Sequence, residues 1–571
     1  MKPSCLQLSA LLCLTAAQPG GAQSLAEQVI SARPSPVPLL QAPVSATVLG
    51  IGDLDRFGII TTQEIALRSP ALTAYSHEGP LQLRGLGAVI DRPGVAPAIA
   101  VFSDGIYLGD SAGIDSASFF DLERVEIIRG PGGVRSGYNA MGGAINLYSA
   151  QPTATWQSKV LAELGSDDYR ALQGLIRGPI TDQFSMSVAG SAGQQPHREG
   201  HRYTPGDDGS RDTQYLRGAF TYHWTNLWYS TLQLVHSDSG DNELDSASLV
   251  NEIALGGQRL KHTASWYQRE STDRSEADAQ TLTWYSDFAG RFNFDNGLSW
   301  YQSDEKSAEI PDPRITASSA WGSATWSLTD RIGISAGLRY TTEEKESEHD
   351  REDDYLDWHL GLDYSWRGQL FYAAANTGHG DPGARVAAHS PIEPDSLTAL
   401  ELGHKGQYLN GRLHTATAVY YYDLEDLDHL RAGSGHAVGV EAQWHWIWNQ
   451  QLNIGGSWGH SNGALPAPRN QLALSVSGQW RWGWVSMEAV LEYLYREAYC
   501  ARQDLCAGSL TQWDGSLTAS YGLWRMTAYA ENISDADSGR DVWLAAPHTM
   551  AGAVSVNAPR SLGIRVTYQL W

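Results

Sequence analysis

Cys500 and Cys506 are two cysteines whose close spacing allows few kinds of chemistry. The other two cysteines of the chain, Cys5 and Cys13, lie in an apolar N-terminal stretch. In an oxidising compartment, two thiols this close together favour a disulfide that closes a small loop. A metal site is the alternative, although two thiols supply only half of a tetrahedral zinc site. The spacing therefore predicts a disulfide between Cys500 and Cys506.

Histidines gather in the predicted loops between strands, where imidazole could bind a metal or a haem. Their spacing is irregular, so the sequence predicts neither ligand at these positions. The histidines in question are His197, His201, His379, His389, His429 and His436.

No nucleophile elbow, phosphate-binding loop or zinc motif occurs in the sequence. The formal net charge is −24, and an acidic protein of this kind does not seek nucleic acid. The residue types and their spacing thus indicate neither a resident cofactor nor a nucleic-acid partner. Asp, His and Ser occur in many predicted loops, so a hydrolase remains an alternative at this point.

The stretch from Phe119 to Ser149 has the pattern of two strands separated by glycine-rich turns. Residues 123–129 alternate between apolar and charged side chains, and the glycines and proline of residues 129–133 cannot continue a ladder. A second apolar strand follows at residues 144–148. The stretch is too polar and too rich in glycine for a large core, so we expect a small sheet packed inside another element.

These residues resemble the end of the plug domain of TonB-dependent outer-membrane receptors. The resemblance lies in LERVEIIRGP at residues 122–131 and in the pattern NAxGGAIN at residues 139–146. Leu83-Arg84-Gly85 and VFSDGIYL at residues 101–108 resemble two further plug signatures in the expected order. The family usually has Gln at the position of Gly132 and an aromatic-glycine pair at Arg135-Ser136. The motif residues are Arg84, Gly85, Asp104, Gly105, Glu126, Arg129, Gly130, Pro131, Asn139, Gly142 and Gly143.

The resemblance implies a plug over residues 44–151 with loops that face an extracellular vestibule. We expect a strand at Val44–Leu49, a turn at Gly52–Phe57 and a helix at Thr62–Leu67 capped by Thr61 or Thr62. Side chains in the apical loops are candidate ligand contacts, and solvated loop residues without any contact are the alternative. The candidates are Tyr75, His77, Asp91, Arg92 and Asp110.

A short segment upstream of the plug resembles a TonB box, the stretch through which such receptors contact TonB. An extended strand there could add its backbone to an exposed sheet edge of the partner. Four prolines follow within residues 34–43, so the linker should be extended or disordered. A plain linker is the alternative. The segment consists of Glu27, Gln28, Val29, Ile30, Ser31 and Ala32.

The N-terminal 22 residues read as a secretory signal. Lys2 is followed by the apolar stretch Leu6–Ala17 and by the small residues Gly20-Gly21-Ala22. The sequence therefore divides into a signal peptide at residues 1–22, a periplasmic TonB-box segment and linker at 23–43, a plug at 44–151 and a barrel at 152–571.

Residues 152–571 alternate between apolar and polar side chains in runs separated by turns, as in a transmembrane β-barrel. The chain has 21 Trp and 26 Tyr, and no apolar run beyond the N-terminus is long enough for a membrane helix. Asn410-Gly411 is a strong hairpin signal. The runs predict an antiparallel barrel of about 22 strands with both ends on the periplasmic side. Trp571 lies one residue out of phase with the last apolar face, where the family usually has Phe.

The fold class that we predict is membrane all-β, a 22-stranded barrel with an N-terminal α/β plug in its lumen. The resemblance implies a receptor in the bacterial outer membrane, among its lipid and lipopolysaccharide, that imports a scarce ligand with energy from TonB, ExbB and ExbD. A ferric siderophore is the commonest ligand class, and haem, cobalamin, another metal chelate or a glycan are alternatives. A plugged barrel acting as a passive pore or adhesion surface, and a barrel enzyme, are further hypotheses.

Overall fold

The computed structural model describes residues 28–30, 37–74, 81–87, 98–109, 116–195, 211–240, 242–271, 274–288, 290–306, 313–346, 350–380, 395–427, 433–463, 467–502, 505–536 and 559–570. Within these ranges the chain forms a small mixed domain followed by a closed barrel. None of the described helices is long and apolar enough to cross a membrane.

The small domain, which corresponds to the expected plug, is built on a five-stranded sheet in the order β3-β8-β9-β6-β7. Strands β6 and β9 run parallel, and the other pairs of this sheet are antiparallel. Two 3-10 segments lie at Leu39–Gln41 and Ser116–Asp121. The elements are β1 (Val29–Ile30), β2 (Val37–Pro38), β3 (Ala46–Gly50), α1 (Ile51–Phe57), α2 (Thr62–Arg68), β4 (Leu72–Ala74), β5 (Leu81–Leu83), β6 (Ile99–Ser103), β7 (Ile106–Gly109), β8 (Leu122–Arg129), α3 (Gly133–Ser136) and β9 (Gly143–Ser149).

Helix α2 begins where the sequence predicts it, because Thr61 and Glu64 form a capping box. The Glu64 backbone N–H donates to Thr61 Oγ1 at 3.2 Å, and the Thr61 backbone N–H donates to Glu64 Oε2 at 3.2 Å. The predicted turn at Gly52–Phe57 is wrong, since α1 covers Ile51–Phe57. The Gly50 backbone N–H donates to Asp53 Oδ2 at 3.2 Å and stabilises the start of this short helix.

The barrel consists of 22 antiparallel strands that close between β33 and β10, which confirms the predicted fold class. A separate two-stranded hairpin, β29–β30, lies in one of its connections. The strands are β10 (Gln157–Gly165), β11 (Arg170–Pro179), β12 (Phe184–Gln195), β13 (Arg211–Thr225), β14 (Trp228–Asp238), β15 (Glu243–Ala254), β16 (Gln258–Glu270), β17 (Arg274–Ser286), β18 (Phe292–Lys306), β19 (Arg314–Ser327), β20 (Ile332–Glu346), β21 (Arg351–Trp366), β22 (Gln369–Gly380), β23 (Asp395–Tyr408), β24 (Leu413–Leu427), β25 (Gly433–Ile447), β26 (Leu452–Gly463), β27 (Asn470–Trp482), β28 (Val485–Arg496), β29 (Tyr499–Arg502), β30 (Leu505–Ala507), β31 (Leu510–Tyr521), β32 (Trp524–Glu531) and β33 (Ser561–Leu570).

The period-two pattern of the strands places apolar side chains on the outside and polar ones in the lumen. On β21, Leu356 and Leu360 are exposed outward, while Asp357 and His359 are buried inward. Because the sequence places polar side chains toward the lumen, the plug meets a wall of hydrogen-bonding groups rather than an apolar core.

The two ends of the barrel differ in the length of their connections. The predicted Asn410-Gly411 hairpin, between β23 and β24, belongs to the end with uniformly short turns. Of the 13 exposed tryptophans among the described residues, 11 lie at this end, for example Trp228, Trp366 and Trp482. Both ends of the barrel segment, the start of β10 and the end of β33, also lie here. We call it the inner end and the opposite one the outer end.

Candidate functional site

Arg84 is the centre of the contact between plug and barrel. Its guanidinium donates to Glu401 Oε2 and to both carboxylate oxygens of Glu441, each at 2.8 Å. The Tyr422 hydroxyl accepts a fourth bond at 2.8 Å, and the ring of Tyr420 lies 4.0 Å below the guanidinium. The Arg84 side chain is completely buried. It therefore ties the plug to three neighbouring strands, β23 to β25.

Arg129, at the end of β8, reaches the same carboxylate from the other side. Its Nε donates to Glu441 Oε2 and to Ser45 Oγ, both at 3.0 Å. Its Nη1 donates to Thr47 Oγ1 at 2.7 Å. Because Ser45 also donates to Glu441 and Glu401, the arginine joins two plug segments and the wall in one network.

Two buried arginines and two buried glutamates therefore form one cluster, which we call the arginine–glutamate cluster: Arg84, Arg129, Glu401 and Glu441. Burial disfavours the charged form of Arg84, but Glu441 and Glu401 outweigh it and raise its pKa well above the usual value. For Arg129, burial and the nearby Arg84 lower the pKa despite Glu441. The formal charges balance, which is the condition for keeping such groups away from water.

Further ion pairs hold the helices of the plug against other strands. Arg68 of α2 binds Glu492 of β28, with Nη2 and Oε2 2.6 Å apart. Arg56 of α1 binds Glu488 at 2.9 Å on the same strand. Four strands further along the closed barrel, Lys159 of β10 reaches Asp55 at 2.8 Å. The helices are therefore fixed at two points of the wall.

Asp104, one of the predicted motif residues, takes part in a third group of contacts. Arg217 of β13 lies 3.3 Å from Asp104 and 3.2 Å from Asp121, atom to atom. The Ser149 backbone N–H donates to Asp104 Oδ1 at 2.9 Å. Burial raises the pKa of Asp121 to about 6, with Arg217 acting in the opposite direction.

The remaining motif residues shape the plug from inside. Gly85, Gly105, Gly130 and Gly143 have positive φ, as do Arg84, Asp104 and Asn139. Gly143 leaves no room for a side chain, because a Cβ there would lie 2.2 Å from the carbonyl oxygen of Ile128. Glu126 is fully buried and pairs with Arg124 at 2.9 Å. Gly142 lies against Leu86 and Ala98, and Pro131 lies over Gly378 of the wall.

The described part of the predicted TonB box, residues 28–30, is folded against the plug. Val29 and Ile30 pair with Val37 and Pro38 in a two-residue ladder. Ile30 is completely buried beside Leu39. The Gln28 amide donates to Asp53 Oδ2 at 3.4 Å. These residues are therefore docked on the plug as a short strand, and in the linker that was expected to be extended or disordered, Leu39–Gln41 form a 3-10 segment instead. Glu27, Ser31 and Ala32 lie outside the described residues.

The five candidate ligand contacts in the apical loops lie outside the described residues. They are Tyr75, His77, Asp91, Arg92 and Asp110. Trp571 also lies outside them. Cys500 is disulfide-bonded, and its backbone is paired with that of Cys506 across the β29–β30 hairpin at the outer end. The Cys500–Cys506 pairing itself stays a prediction.

Sequence reasoning found the plug arginines and missed their partners in the barrel. Glu401 and Glu441 are inward-facing residues in strands whose outward-facing neighbours, such as Leu402, are apolar. An acidic residue on the inward register of a strand, in a lumen that holds two arginines, was the available signal. Only the pairing of the strands shows which of the many inward-facing acidic residues lie next to the two plug arginines.

Two family models match the chain. Residues 38–144 match the TonB-dependent Receptor Plug Domain, and residues 155–533 match the model described as TonB dependent receptor-like, beta-barrel. The vitamin B12 transporter BtuB of Vibrio vulnificus is 22% identical over 439 residues, which is 70% of each chain. The pesticin receptor of Yersinia pestis is 30% identical over 143 residues, only 21% of its length.

Solved structures share the fold over nearly the whole chain. The ferric yersiniabactin uptake receptor FyuA from Yersinia pestis superimposes with a TM-score of 0.77 at 18% identity, covering 93% of this chain and 98% of that one. The siderophore receptor PiuA from Acinetobacter baumannii gives 0.78 at 13% identity, covering 94% and 98%. At such low sequence identity, the similarity to these structures shows the fold of the chain and nothing about its ligand.

Proposed function

The chain belongs to the TonB-dependent receptors of the outer membrane, and from this premise we propose that it imports a ferric siderophore. Its family is one of receptors and transporters, whose relatives include proteins named for vitamin B12, pesticin and siderophores. We propose accordingly that it is not an enzyme. The structural neighbours named for siderophores favour iron as the cargo.

The observation that carries the proposal is the plugged lumen. The plug is held to the wall by buried ion pairs on strands that surround it, including those of the arginine–glutamate cluster. A ligand bound at the outer end cannot pass until part of the plug moves. Breaking buried ion pairs is costly, and the chain has no nucleotide motif, so the work comes from outside.

We propose that TonB, driven by ExbB and ExbD, binds the N-terminal segment. A strand added to TonB would use the backbone of Val29 and Ile30, the residues now paired with Val37 and Pro38. The segment must therefore leave the plug before it can pair with TonB. The Gln28–Asp53 bond and the burial of Ile30 oppose that release.

A proline substitution tests the energy coupling. Val29→Pro removes a backbone donor at a side chain that is only half-buried, whereas Ile30→Pro would also disturb the packing around Leu39. We expect Val29→Pro to abolish energy-dependent uptake of a radiolabelled ferric siderophore by iron-starved cells, and Val29→Ala to leave it near the parental rate. Binding to de-energised cells should be equal for all three proteins.

The outcomes separate the alternatives. Uptake by Val29→Pro at the parental rate would contradict coupling through this segment and favour the passive pore. If the parent takes up labelled cyanocobalamin or haem but no ferric siderophore, then the coupling stands and the cargo is wrong. Uptake that persists in cells treated with a protonophore would contradict energy-coupled import altogether.

A further inference from the structure

The outer ends of β14 and β15 carry four neighbouring side chains that can bind a cation. In the register of the two strands, His236 lies opposite Asp245, and Asp238 lies opposite Glu243. Residues two apart on a strand point to the same side, so all four side chains lie on one face of the sheet. We call this group the outer square: His236, Asp238, Glu243 and Asp245.

The alternation of the two strands places the outer square on the outside of the barrel. On β14, Leu234 is exposed outward and Ser237 is buried toward the lumen, and on β15 Leu249 is exposed and Ser246 is buried. All members of the outer square are in phase with these leucines and out of phase with the serines. The side chains of its histidine and of the opposite aspartate are 45% and 42% exposed, so an ion from solution can reach them.

Three members of the outer square are close enough to share one metal ion. The ligand atoms of His236, Glu243 and Asp245 all lie within 4.8 Å of one another, and no other group of three histidine, cysteine or carboxylate side chains among the described residues does so. His236 Nδ1 and Asp245 Oδ1 are 2.9 Å apart. A tetrahedral zinc ion with bonds of about 2.0–2.2 Å holds its ligand atoms roughly 3.3–3.5 Å apart. Small rotations of these exposed side chains therefore bring the three atoms to the distances that such an ion requires.

The outer square carries more negative charge than its surroundings neutralise. Among the described residues, the one basic side chain within ion-pair distance of its three carboxylates is its own histidine. On the following strands, by contrast, Glu270 pairs with Arg274 at 3.2 Å and Asp304 pairs with Arg314 at 2.6 Å. Carboxylates this close to one another repel, and a divalent cation between them removes the repulsion.

A short connection between β14 and β15 holds the outer square in position. The Ser239 backbone N–H donates to the Asn242 carbonyl oxygen at 3.0 Å, directly beyond the two strand ends. The Gly240 backbone N–H donates to Asp238 Oδ1 at 2.8 Å. Asp238 is therefore held by the turn and adds charge to the site, while the other three members present their ligand atoms from paired strands. Ligands on paired strands are positioned more precisely than ligands on a long loop.

The ligand types favour a transition metal over calcium or magnesium. Imidazole nitrogen suits Zn²⁺ and related ions, and carboxylate oxygens complete their coordination. Ca²⁺ takes about six to eight oxygen ligands, and Mg²⁺ keeps several of its waters, so neither ion gains from the histidine. The three protein ligands leave one position of a tetrahedral ion open for water.

We propose that His236, Glu243 and Asp245 bind one divalent transition-metal ion such as Zn²⁺ on the outside of the barrel. The ion replaces the hydrogen bond between His236 and Asp245, neutralises part of the charge of the outer square and joins the outer ends of β14 and β15. The site lies outside the lumen, so it is independent of the cargo and of energy coupling through the N-terminal segment. Its effect is to stabilise the β14–β15 hairpin.

Hydrogen exchange of the β14–β15 hairpin tests the proposal in the purified full-length protein without a histidine tag. At a Zn²⁺ concentration about ten times the dissociation constant, exchange of this hairpin should slow roughly tenfold, because the ion binds only the closed form. His236→Gln should abolish the effect, and Glu243→Gln and Asp245→Asn should each weaken it. Ca²⁺ at the same concentration should give no protection. The readout is local, so Zn²⁺ bound by other histidines of the chain does not contribute to it.

His436 provides the matched control. Its Nδ1 lies 2.9 Å from Asp423 Oδ1 on the neighbouring strand at the outer end, but among the described residues no third ligand joins this pair. His436→Gln should therefore leave the effect of Zn²⁺ on the β14–β15 hairpin unchanged. Absence of protection by Zn²⁺ in the parent, equal protection in His236→Gln, or equal protection by Ca²⁺ would each overturn the proposal.

Discussion

At the scale of single residues, Glu441 is the carboxylate that binds both arginines of the arginine–glutamate cluster. It accepts from Arg84 and Arg129 at once, and from the Ser45 hydroxyl. Its loss would leave two buried guanidinium groups facing the single carboxylate of Glu401. A buried charge without its partner is far more costly than the pair itself is stabilising.

We therefore expect Glu441→Gln to destabilise the docked plug by about 3 kcal/mol, in the range known for broken buried pairs. Hydrogen exchange of β3 and β8 in the full-length protein would measure the change. Glu270→Gln is the control, because Glu270 and Arg274 form a pair in which both side chains are nearly half exposed. Its effect should stay below about 1 kcal/mol. Equal exchange in both variants would contradict the assigned role of Glu441.

Asp53 makes the stability of the plug depend on pH. Burial raises its pKa from 3.8 to about 6, while Arg56, the Gly50 N–H and Gln28 act in the opposite direction. Because the folded state holds the proton more tightly than the unfolded state, this contribution is fully present below pH 3.8 and is lost as pH rises through about 6. The pKa of Asp121 is also raised to about 6, so its contribution to the stability of the plug is likewise lost as pH rises.

The expected result is a plug that loses stability between about pH 4 and pH 6, by up to about 3 kcal/mol for each group at about 1.4 kcal/mol per pKa unit. Asp53→Asn should remove one part of this slope, and Asp53→Asn with Asp121→Asn most of it. Denaturant unfolding of the plug at several pH values would measure it. A slope that is unchanged in the double variant would show that other groups carry the pH dependence.

At the scale of the elements, alternation predicted the strands and local capping predicted α2, since both signals lie within a few neighbouring residues. Helix α1 was predicted as a turn because seven residues with Gly52 near the start carry no helical periodicity. Its start depends on the hydrogen bond between the Gly50 N–H and the Asp53 carboxylate, and the same local hydrogen bond also occurs in turns. The fold of residues 28–30 was missed because it depends on Leu39 and on the plug sheet.

Two glycines of the plug give opposite predictions for the same substitution. Gly143 has φ +139°, and its Cβ would meet the Ile128 carbonyl and the Leu83 side chain at 2.2 and 2.7 Å. We expect Gly143→Ala to destabilise the plug by about 3 kcal/mol or more through strain and overpacking. Gly52 lies in α1 with no atom within 4 Å of its Cβ position.

Gly52→Ala should therefore stabilise the plug by about 0.5–1 kcal/mol, because alanine loses less backbone entropy in a helix. Unfolding of both variants in urea, followed by a probe in the plug, would measure the two signs. Similar destabilisation by both would mean that glycine content as such, and not the close approach of β8 and β9, determines the stability.

At the scale of the whole molecule, the alternating runs predicted the number of strands, and the resemblance of residues 83–146 to plug signatures predicted the plug. The sequence predicted only one side of the plug contact. The arginines carry local motifs, whereas Glu401 and Glu441 become partners only through the register of strands more than 300 residues away. A contact of that separation leaves no local pattern in a single sequence.

The tryptophans show how the barrel sits in its membrane. In the part of the chain that the structure describes, 11 of 13 exposed tryptophans lie at the inner end, and Trp482 and Trp484 are 77% and 91% exposed. Indole combines an apolar ring with one hydrogen-bond donor, so it prefers the boundary between lipid headgroups and hydrocarbon. The distribution thus indicates that the inner end lies at one such boundary and is anchored there.

We expect tryptophan fluorescence of the protein in bilayers to be quenched more strongly by lipids brominated near the glycerol than by lipids brominated near the chain ends. Trp482→Phe and Trp484→Phe together should reduce the quenching by the first kind of lipid. Trp300→Phe is the control, since Trp300 is an exposed tryptophan halfway along β18 and should contribute mainly to quenching by the second kind. Equal quenching by both lipids in the parent would place the inner-end tryptophans away from the boundary. The assignment of this end to the membrane interface, and with it the side from which TonB would approach the segment at residues 28–30, would then be wrong.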